Sequence, residues 1–264
     1  MTPGELFQAG KLAEATQAAL DAVKKQPTDT DRRGQLIEML CFAGDLERAD
    51  KQLETIAQQD PKAQVGVSAL RQIVRAENAR QQFYAEGRLP EFLGEPTESL
   101  KLRLAASIAI REGNVPDAAA KLAEAEAIQK SVRGQCNGEP FEQFRDLDDL
   151  CAGLFEVLTS AGKYYWVPVE RVEFVEFRVP ERPKDLLWRR CNMKVQDGPE
   201  GEVFIPAIYA GTQRSEDDQL RLGRGTQWIE ENDALVRGQG QRMFLVGNAD
   251  MSIMQLQELV FSEV

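Results

Sequence analysis

Apolar residues in the first half of the chain recur every three or four positions, which places them on one face of an α-helix. One long run predicts a helix over about 63–85, with polar residues on its other faces. Two more helices are predicted, one on each side of Gly113. Their apolar stripes contain Leu102, Ala105, Ala106 and Ala109 before the glycine and Leu122 and Ala125 after it.

The helical pattern repeats with a fixed period. Gly-Lys-Leu-Ala-Glu-Ala at 10–15 recurs as Gly-Asp-Leu-Glu-Arg-Ala at 44–49, 34 positions later, and Pro27 and Pro61 are separated by the same distance. Glycine suits the tight turn between two helices, a small alanine lets their backbones approach, and proline ends the second helix. A period of 34 residues is that of the tetratricopeptide repeat.

The repeat is less regular further along the chain. Gly113 and Ala118 have the same spacing as the earlier copies, but Phe92 stands where an alanine is expected after Gly87. Residues 1–133 are therefore predicted to form a tetratricopeptide-like superhelix of six or seven helices. The inner helices of such a stack form a concave groove that suits a peptide or a helix.

The pattern changes to that of β-structure in the second half. We interpret 134–162 as a connecting loop and a helix over 144–158. β-Branched and aromatic residues then predict strands at 164–169, 172–179, 203–209 and 243–246, and a closing strand within 253–264. The predicted fold class is α+β, with a β subdomain over 163–264 that is either a partly open barrel or a twisted antiparallel sheet.

Composition narrows the possible functions. A net charge of −11 disfavours nucleic acid and membrane surfaces as partners. The chain contains no histidine, which removes the usual base of Ser-His and Cys-His pairs and the commonest transition-metal ligand. Because the sequence has no membrane-length apolar run and no secretory signal, we expect a cytoplasmic protein whose four cysteines are reduced thiols.

Three acidic residues, Asp146, Asp148 and Asp149, form the most prominent candidate site for chemistry. Their spacing is not that of an EF-hand loop, because the glycine and the terminal glutamate are missing. We interpret them as the solvated start of a helix, where acidic residues are favoured, with a divalent-cation site as the alternative. Gly162-Lys163 lacks the rest of a phosphate-binding loop. No catalytic, cofactor-binding or metal-binding residues are predicted.

Aromatic residues concentrate in the second half, where they either fill the core of the β subdomain or form an interaction surface. An arginine beside a tryptophan suits the recognition of a carboxylate or a backbone carbonyl. The candidate partner-binding residues are Tyr165, Trp166, Trp188, Arg189 and Arg242.

An ordered set of motifs along the whole chain resembles the ImpE/TagJ family, accessory proteins of bacterial type VI secretion systems. In the first half these motifs are Leu-Phe-Gln-Ala-Gly-Lys-Leu at 6–12 and the spaced Leu36, Leu40 and Gly44. In the second half they are Gly-Lys-Tyr-Tyr-Trp-Val-Pro at 162–168, Asp-Leu-Leu-Trp-Arg at 185–189, Gly-Glu-Val-Phe-Ile-Pro at 201–206 and Gly-Gln-Arg at 240–242.

The resemblance implies a helical superhelix followed by a β subdomain, in a protein that acts beside the contractile sheath. It implies binding of the N-terminal helix of the small sheath subunit and association with the AAA+ ATPase that recycles contracted sheath, without catalysis or a cofactor. One position departs from the family pattern, which tends to have Asp-Asp-Arg, whereas a leucine follows Asp149 here.

The favoured hypothesis is a non-enzymatic adaptor. A carboxylate-dependent hydrolase or transferase in the β half, and a self-associating structural module, are the two alternatives. The partner would occupy either the groove of the repeats or the β subdomain.

Overall fold

The computed structural model of the protein describes residues 1–231 and 234–262. Within these ranges, seven helices precede a β-rich half that contains one further short helix. The helices are α1 (Pro3–Gln8), α2 (Leu12–Lys25), α3 (Thr30–Phe42), α4 (Leu46–Gln59), α5 (Gln64–Glu86), α6 (Glu98–Arg111), α7 (Val115–Ile128) and α8 (Asp218–Arg221).

The repeating glycines are the turns of helical hairpins. Gly10, Gly44 and Gly113 join α1 to α2, α3 to α4 and α6 to α7, with φ values of +78°, +75° and +74° that favour glycine. The side chains of Asp45 and Asn114 each accept a backbone N–H of the following helix, which satisfies one of its unpaired donors. The predicted helical hairpins are therefore confirmed.

Small residues set the spacing between the paired helices. Ala15, Ala49 and Ala118, at the repeated position, have 0% of their surface exposed. Helix α5 is the irregular unit: it has no hairpin partner, ends at Gly87 with φ +80°, and continues into an extended segment that contains Phe92.

The β-rich half contains antiparallel sheets. In the longest ladder, residues 188–194 pair with 200–206, from Trp188 opposite Pro206 to Lys194 opposite Glu200. The strands are β1 (Gly134–Cys136), β2 (Glu139–Phe141), β3 (Phe144–Asp146), β4 (Leu154–Thr159), β5 (Tyr164–Pro168), β6 (Val172–Phe177), β7 (Trp188–Val195), β8 (Glu200–Pro206), β9 (Thr226–Glu231), β10 (Leu235–Gly240), β11 (Met243–Val246), β12 (Ala249–Ser252) and β13 (Glu258–Phe261).

Eight of these strands form one sheet in the order β2-β1-β13-β6-β7-β8-β4-β5. Strands β12, β11 and β3 form a second sheet, and β9 and β10 form a separate hairpin. The two ends of the large sheet, β2 and β5, do not pair with each other in the described residues. The α+β prediction is confirmed, in the form of an open antiparallel sheet rather than a barrel.

The large sheet has two differently covered faces because side chains alternate along each strand. Leu154, Leu158 and Trp166 lie on the face that joins the core of the helices. Phe155 and Val167 lie on the opposite face, in a second apolar core shared with the three-stranded sheet.

The predicted helix over 144–158 is wrong. Residues Phe144–Asp146 form β3, which pairs with β11, and Leu154–Thr159 form β4, which pairs with β5 and β8. The predicted loop over 134–140 likewise contains β1 and β2. Local patterns favour a helix here, but partners distant in sequence provide the pairing that decides the structure.

The β half covers the turns of the first two helical hairpins. The side chain of Arg224 donates to the backbone carbonyls of Phe7 and Gln8, at 2.7 and 2.9 Å. Asp218 accepts the backbone N–H of Leu12 at 2.7 Å, at the start of α2. The helices thus support the β half directly, and this segment occupies part of the surface that a free repeat stack would offer.

None of the helices in the described part of the chain combines the length and apolar character that a bilayer crossing requires.

Two glycine substitutions measure how tightly the β half packs on the repeats. Gly44→Ala places a methyl group 2.5 Å from Cγ of Gln213, whereas Gly113→Ala, at nearly the same φ, meets no atom within 4 Å. We expect Gly113→Ala to lower the free energy of unfolding by about 1 kcal/mol through backbone strain alone, and Gly44→Ala to cost roughly a further 1–3 kcal/mol through overpacking. Urea denaturation measures both. Equal losses would show that Gln213 moves aside freely.

Candidate functional site

The buried face of α5 carries charged side chains as well as apolar ones. Glu77 and Arg80 lie in phase with the buried Ile73 and are themselves buried. They face β4, whose otherwise apolar sequence Leu-Phe-Glu-Val-Leu-Thr carries Glu156 on the side of the sheet that faces the helices. Helix α5 therefore meets the large sheet through charge as well as through apolar contact.

Glu156 is fully buried and accepts hydrogen bonds from several elements at once. Nε and Nη2 of Arg80 bind its two carboxylate oxygens at 3.0 Å each. The hydroxyl groups of Tyr84 and Tyr164 donate to Oε1 at 3.0 and 2.5 Å, and Arg242 donates to Oε2. Helix α5, β4, β5 and the segment before β11 are thereby joined at a single carboxylate.

Arg242 extends this arrangement toward the 146–149 segment. Its Nη1 lies 3.5 Å from Oδ2 of Asp146, whose Oδ1 accepts the hydroxyl of Tyr209 at 2.8 Å. Asp148 binds Nε of Arg237 at 2.8 Å. We name the resulting set the buried charge chain; its members are Glu77, Arg80, Glu156, Arg242, Asp146, Asp148 and Arg237.

The buried charge chain contains three guanidinium groups and four carboxyl groups, so one carboxyl is in excess. Burial raises the pKa of Glu156, but the guanidinium groups of Arg80 and Arg242 outweigh burial and lower it to about 2. Burial raises the pKa of Asp146 to about 7, with Arg242 opposing the rise and Asp148 adding to it. Burial also raises the pKa of Glu77. Asp146 therefore retains its proton until the pH approaches 7.

Chemically, this arrangement favours a structural role. The oxygens of Glu156 are occupied by donors, and its low pKa makes it a weak proton acceptor near neutral pH. In the described part of the chain, no group of three or more Cys, Asp or Glu side chains is arranged to hold a metal ion.

An open cavity of about 530 Å³ lies beside the buried charge chain. We name it the polar groove. One wall is the C-terminal half of α5, the other is the β9–β10 hairpin, and the segment 210–214 closes one end. The side chains that line it include Asn78, Gln81, Gln82, Tyr84, Glu86, Ile110, Gln213, Arg214, Ile229, Arg237 and Gln239.

A second cavity, of about 240 Å³, opens on the other face of the large sheet. We name it the apolar cavity. Its walls are aliphatic side chains of β4, β5, β7 and β8, and the exposed Glu200 and Glu202 stand at its rim. The aliphatic residues are Leu93, Val157, Val167, Met193, Val195 and Val203.

Of the five candidate partner-binding residues, four are buried within the chain. Trp166 and Trp188 donate their indole N–H groups to Tyr164 and Glu77, at 2.6 and 3.2 Å. The buried Arg189 donates to the carbonyl of Leu256 at 3.4 Å, so it binds a backbone carbonyl of its own chain. Arg242 belongs to the buried charge chain. These four side chains therefore occupy the interior.

Tyr165 is the exception among the five. It is half-buried and contributes to the wall of the apolar cavity, on the face of β5 opposite to Trp166. Its contact with a partner stays a prediction.

The interpretation of the acidic cluster as a solvated helix start is wrong. Asp146 and Asp148 are each 1% exposed and lie at the end of β3 and in the following turn. Asp148 accepts the backbone N–H groups of Leu150 and Gly238, at 3.0 and 2.9 Å. The cluster connects the turn to β10, which the sequence could not show because the partners are about 90 positions away.

Glu156 and Arg80 are not among the predicted site residues, although the sequence carries a signal for each. Glu156 is a single charge in a strand of apolar residues, and Arg80 is in phase with the apolar stripe of α5. A charge at a core position requires a partner of opposite sign, so the two together indicated a buried ion pair.

Comparison with known proteins finds similarity to a family model, a curated protein and a solved structure. Residues 138–260 match the family model of the ImpE protein. The type VI secretion system accessory component TagJ of Pseudomonas aeruginosa is 29% identical over 261 residues, which span 99% of this chain and 91% of that protein. The crystal structure of protein VPA1032 from Vibrio parahaemolyticus has a TM-score of 0.93 at 28% identity, over 99% of this chain and 98% of that one. The resemblance that the sequence motifs predict is thereby confirmed.

Removal of the central carboxylate should destabilise the protein strongly. Glu156→Gln leaves Arg80 and Arg242 without their shared counter-charge in the interior, and we expect a loss of about 3–5 kcal/mol in the free energy of unfolding. The matched control is Glu91→Gln, which removes a half-exposed partner 2.6 Å from Lys163 and should cost less than about 1 kcal/mol. Similar losses in urea denaturation would contradict the role given to Glu156.

The pKa of Asp146 predicts a specific dependence of stability on pH. The group ordinarily titrates near 3.8 and in the folded protein near 7, so the folded state retains a proton that the unfolded state has released. This contribution to stability is complete below about pH 4 and is lost as the pH rises to about 7, by up to about 1.4 kcal/mol per pH unit.

Asp146→Asn removes the titrating group. The unfolding free energy of the wild type minus that of the variant should therefore fall between about pH 5 and 7 and level off above that. Urea titrations across this range measure the difference. A difference that stays constant would contradict the assignment of the proton to Asp146.

Proposed function

Because the chain carries an ImpE domain and is similar to TagJ along its length, we propose that it is a non-enzymatic adaptor of a type VI secretion system. It binds the N-terminal helix of the small sheath subunit and associates with the AAA+ ATPase that recycles the sheath, in the cytoplasm. The observation that carries the proposal is the similarity to TagJ over 99% of the chain, which includes both the repeats and the β half.

The apolar cavity is the site that best suits an apolar helix face. An amphipathic helix binds by inserting side chains at i, i+3 and i+4 into an apolar recess, and the aliphatic walls around Tyr165 offer one. Glu200 and Glu202 at the rim favour a helix with basic residues beside its apolar anchors. The net charge of −11 favours a basic partner in the same way.

The two alternative functions receive less support. Within the described residues, the carboxyl groups that a hydrolase would use are buried in the charge chain and paired with arginines. For self-association, the edge of β2 has only three residues, and the backbone of Glu91 already pairs with Tyr164 and Trp166 at the edge of β5.

Calorimetric titration with a peptide from the N-terminus of the small sheath subunit tests the proposal. We expect saturable binding to the wild type and, for Tyr165→Ala, a loss of about tenfold in affinity through removal of an aromatic anchor. Arg48→Ala, an exposed change on α4, is the control and should bind as the wild type does. No binding at high micromolar peptide would refute the proposed partner. Binding that Tyr165→Ala leaves intact would move the site away from the apolar cavity.

A further inference from the structure

The polar groove differs in chemistry from the apolar cavity and has no part in the function proposed above. Its walls carry five carboxamide side chains and Arg237, whose Nε is bound by Asp148. These two features indicate what kind of ligand the groove fits.

Arg237 uses only part of its hydrogen-bonding capacity. Its Nε binds both carboxylate oxygens of Asp148, at 3.1 and 2.8 Å, and its guanidinium lies 5.8 Å from the ring centre of Tyr84. Among the described residues, neither Nη1 nor Nη2 of Arg237 has a hydrogen-bond partner. The side chain is 15% exposed and lines the groove. A guanidinium fixed in this way presents a planar pair of donors that matches a carboxylate.

Carboxamide groups surround this position. The side chains of Asn78, Gln81, Gln213 and Gln239 line the groove, and none of them forms a hydrogen bond with another described residue. Each carboxamide carries both donors and an acceptor. A peptide group presents one N–H and one C=O, so these side chains can pair with a peptide backbone whatever its sequence.

The length of the groove favours a short extended segment. The stretch of α5 from Asn78 to Glu86 rises by about 12 Å, at 1.5 Å per residue. Four residues in extended conformation span about 13 Å. The exposed Arg214 stands at the end closed by 210–214, and Glu86 lies toward the C-terminus of α5.

We propose that the polar groove binds an extended peptide segment of about four residues whose carboxylate pairs with Nη1 and Nη2 of Arg237, while the carboxamides bind the peptide groups. Arg214 adds a second positive charge at the end of the groove formed by 210–214. The carboxylate belongs either to an acidic side chain or to a chain terminus. The groove therefore recognises an acidic segment, in contrast to the basic helix that suits the apolar cavity.

Three short peptides test the proposal by nuclear magnetic resonance titration of the full chain. The first is acetyl-Thr-Val-Thr-Asp-amide, with a side-chain carboxylate. The second is acetyl-Thr-Val-Thr-Val with a free terminal acid, and the third is its neutral amide. We expect one or both acidic peptides to bind saturably at millimolar concentration. Binding should change the chemical shifts of the side-chain amide groups of Gln81 and Gln239. The neutral amide should bind at least tenfold more weakly.

Two arginine variants test where the carboxylate of the peptide binds. Arg237→Lys keeps the charge beside Asp148 but loses the paired donors, so affinity for the acidic peptide should fall about tenfold. Arg214→Ala removes an exposed charge that has no ion pair with the described residues, so affinity should fall by up to about fivefold and the protein should stay folded. Arg48→Ala is the control and should bind as the wild type does.

The proposal is overturned if neither acid binds, if the neutral amide binds as tightly, or if sodium acetate competes as well as the peptides do. It is also overturned if Arg48→Ala weakens binding as much as Arg214→Ala. The sheath peptide, titrated into Arg214→Ala, should bind as it does to the wild type, so a failure here is distinct from a failure of the adaptor function.

Discussion

Glu156 is buried without any exposed surface, and it must remain ionised to satisfy the guanidinium groups of Arg80 and Arg242. A charge in this position is stable only if its partners are held in place, because an unpaired buried charge costs several kcal/mol. The requirement links α5 to β4 and to the segment that precedes β11. The positions of the other elements follow, since the hairpins of repeats pack on α5 and the sheet continues outward from β4.

This link gives the helical repeats a different role from that of a free repeat stack. A free stack of tetratricopeptide-like hairpins offers a concave groove to a partner, but here the segment 211–224 of the same chain covers the turns at Gly10 and Gly44. The repeats act as a support for the β half. Two surfaces left open in the described residues are the apolar cavity on the large sheet and the polar groove beside α5, and the ImpE match at 138–260 contributes to both.

The helical half was predictable because its signals are local. The 34-residue period, the turn glycines and the small alanines each act within one hairpin, and the structure confirms them. The β half was predictable where aromatic or β-branched residues cluster, as in β5, β6 and β11. The longest strand, β7, was not predicted, because charged and polar residues interrupt its apolar ones. A helix was wrongly predicted for 144–158, because β3 and the turn at Asp148 form through pairing with β10 and β11, about 90 to 100 positions away. Among the candidate site residues, composition identified the aromatics and arginines but could not separate the buried Trp166 from the accessible Tyr165, its neighbour on the opposite face of β5.

The most direct test of this account is whether the two halves unfold together. All three tryptophans lie in the β half, so their fluorescence reports on it, while far-ultraviolet circular dichroism is dominated by the helices. Because the buried charge chain joins the halves, urea unfolding of the wild type should give coincident transitions by the two probes. Two separate transitions, with the tryptophan signal changing while the helices remain intact, would contradict the claim that Glu156 unites them.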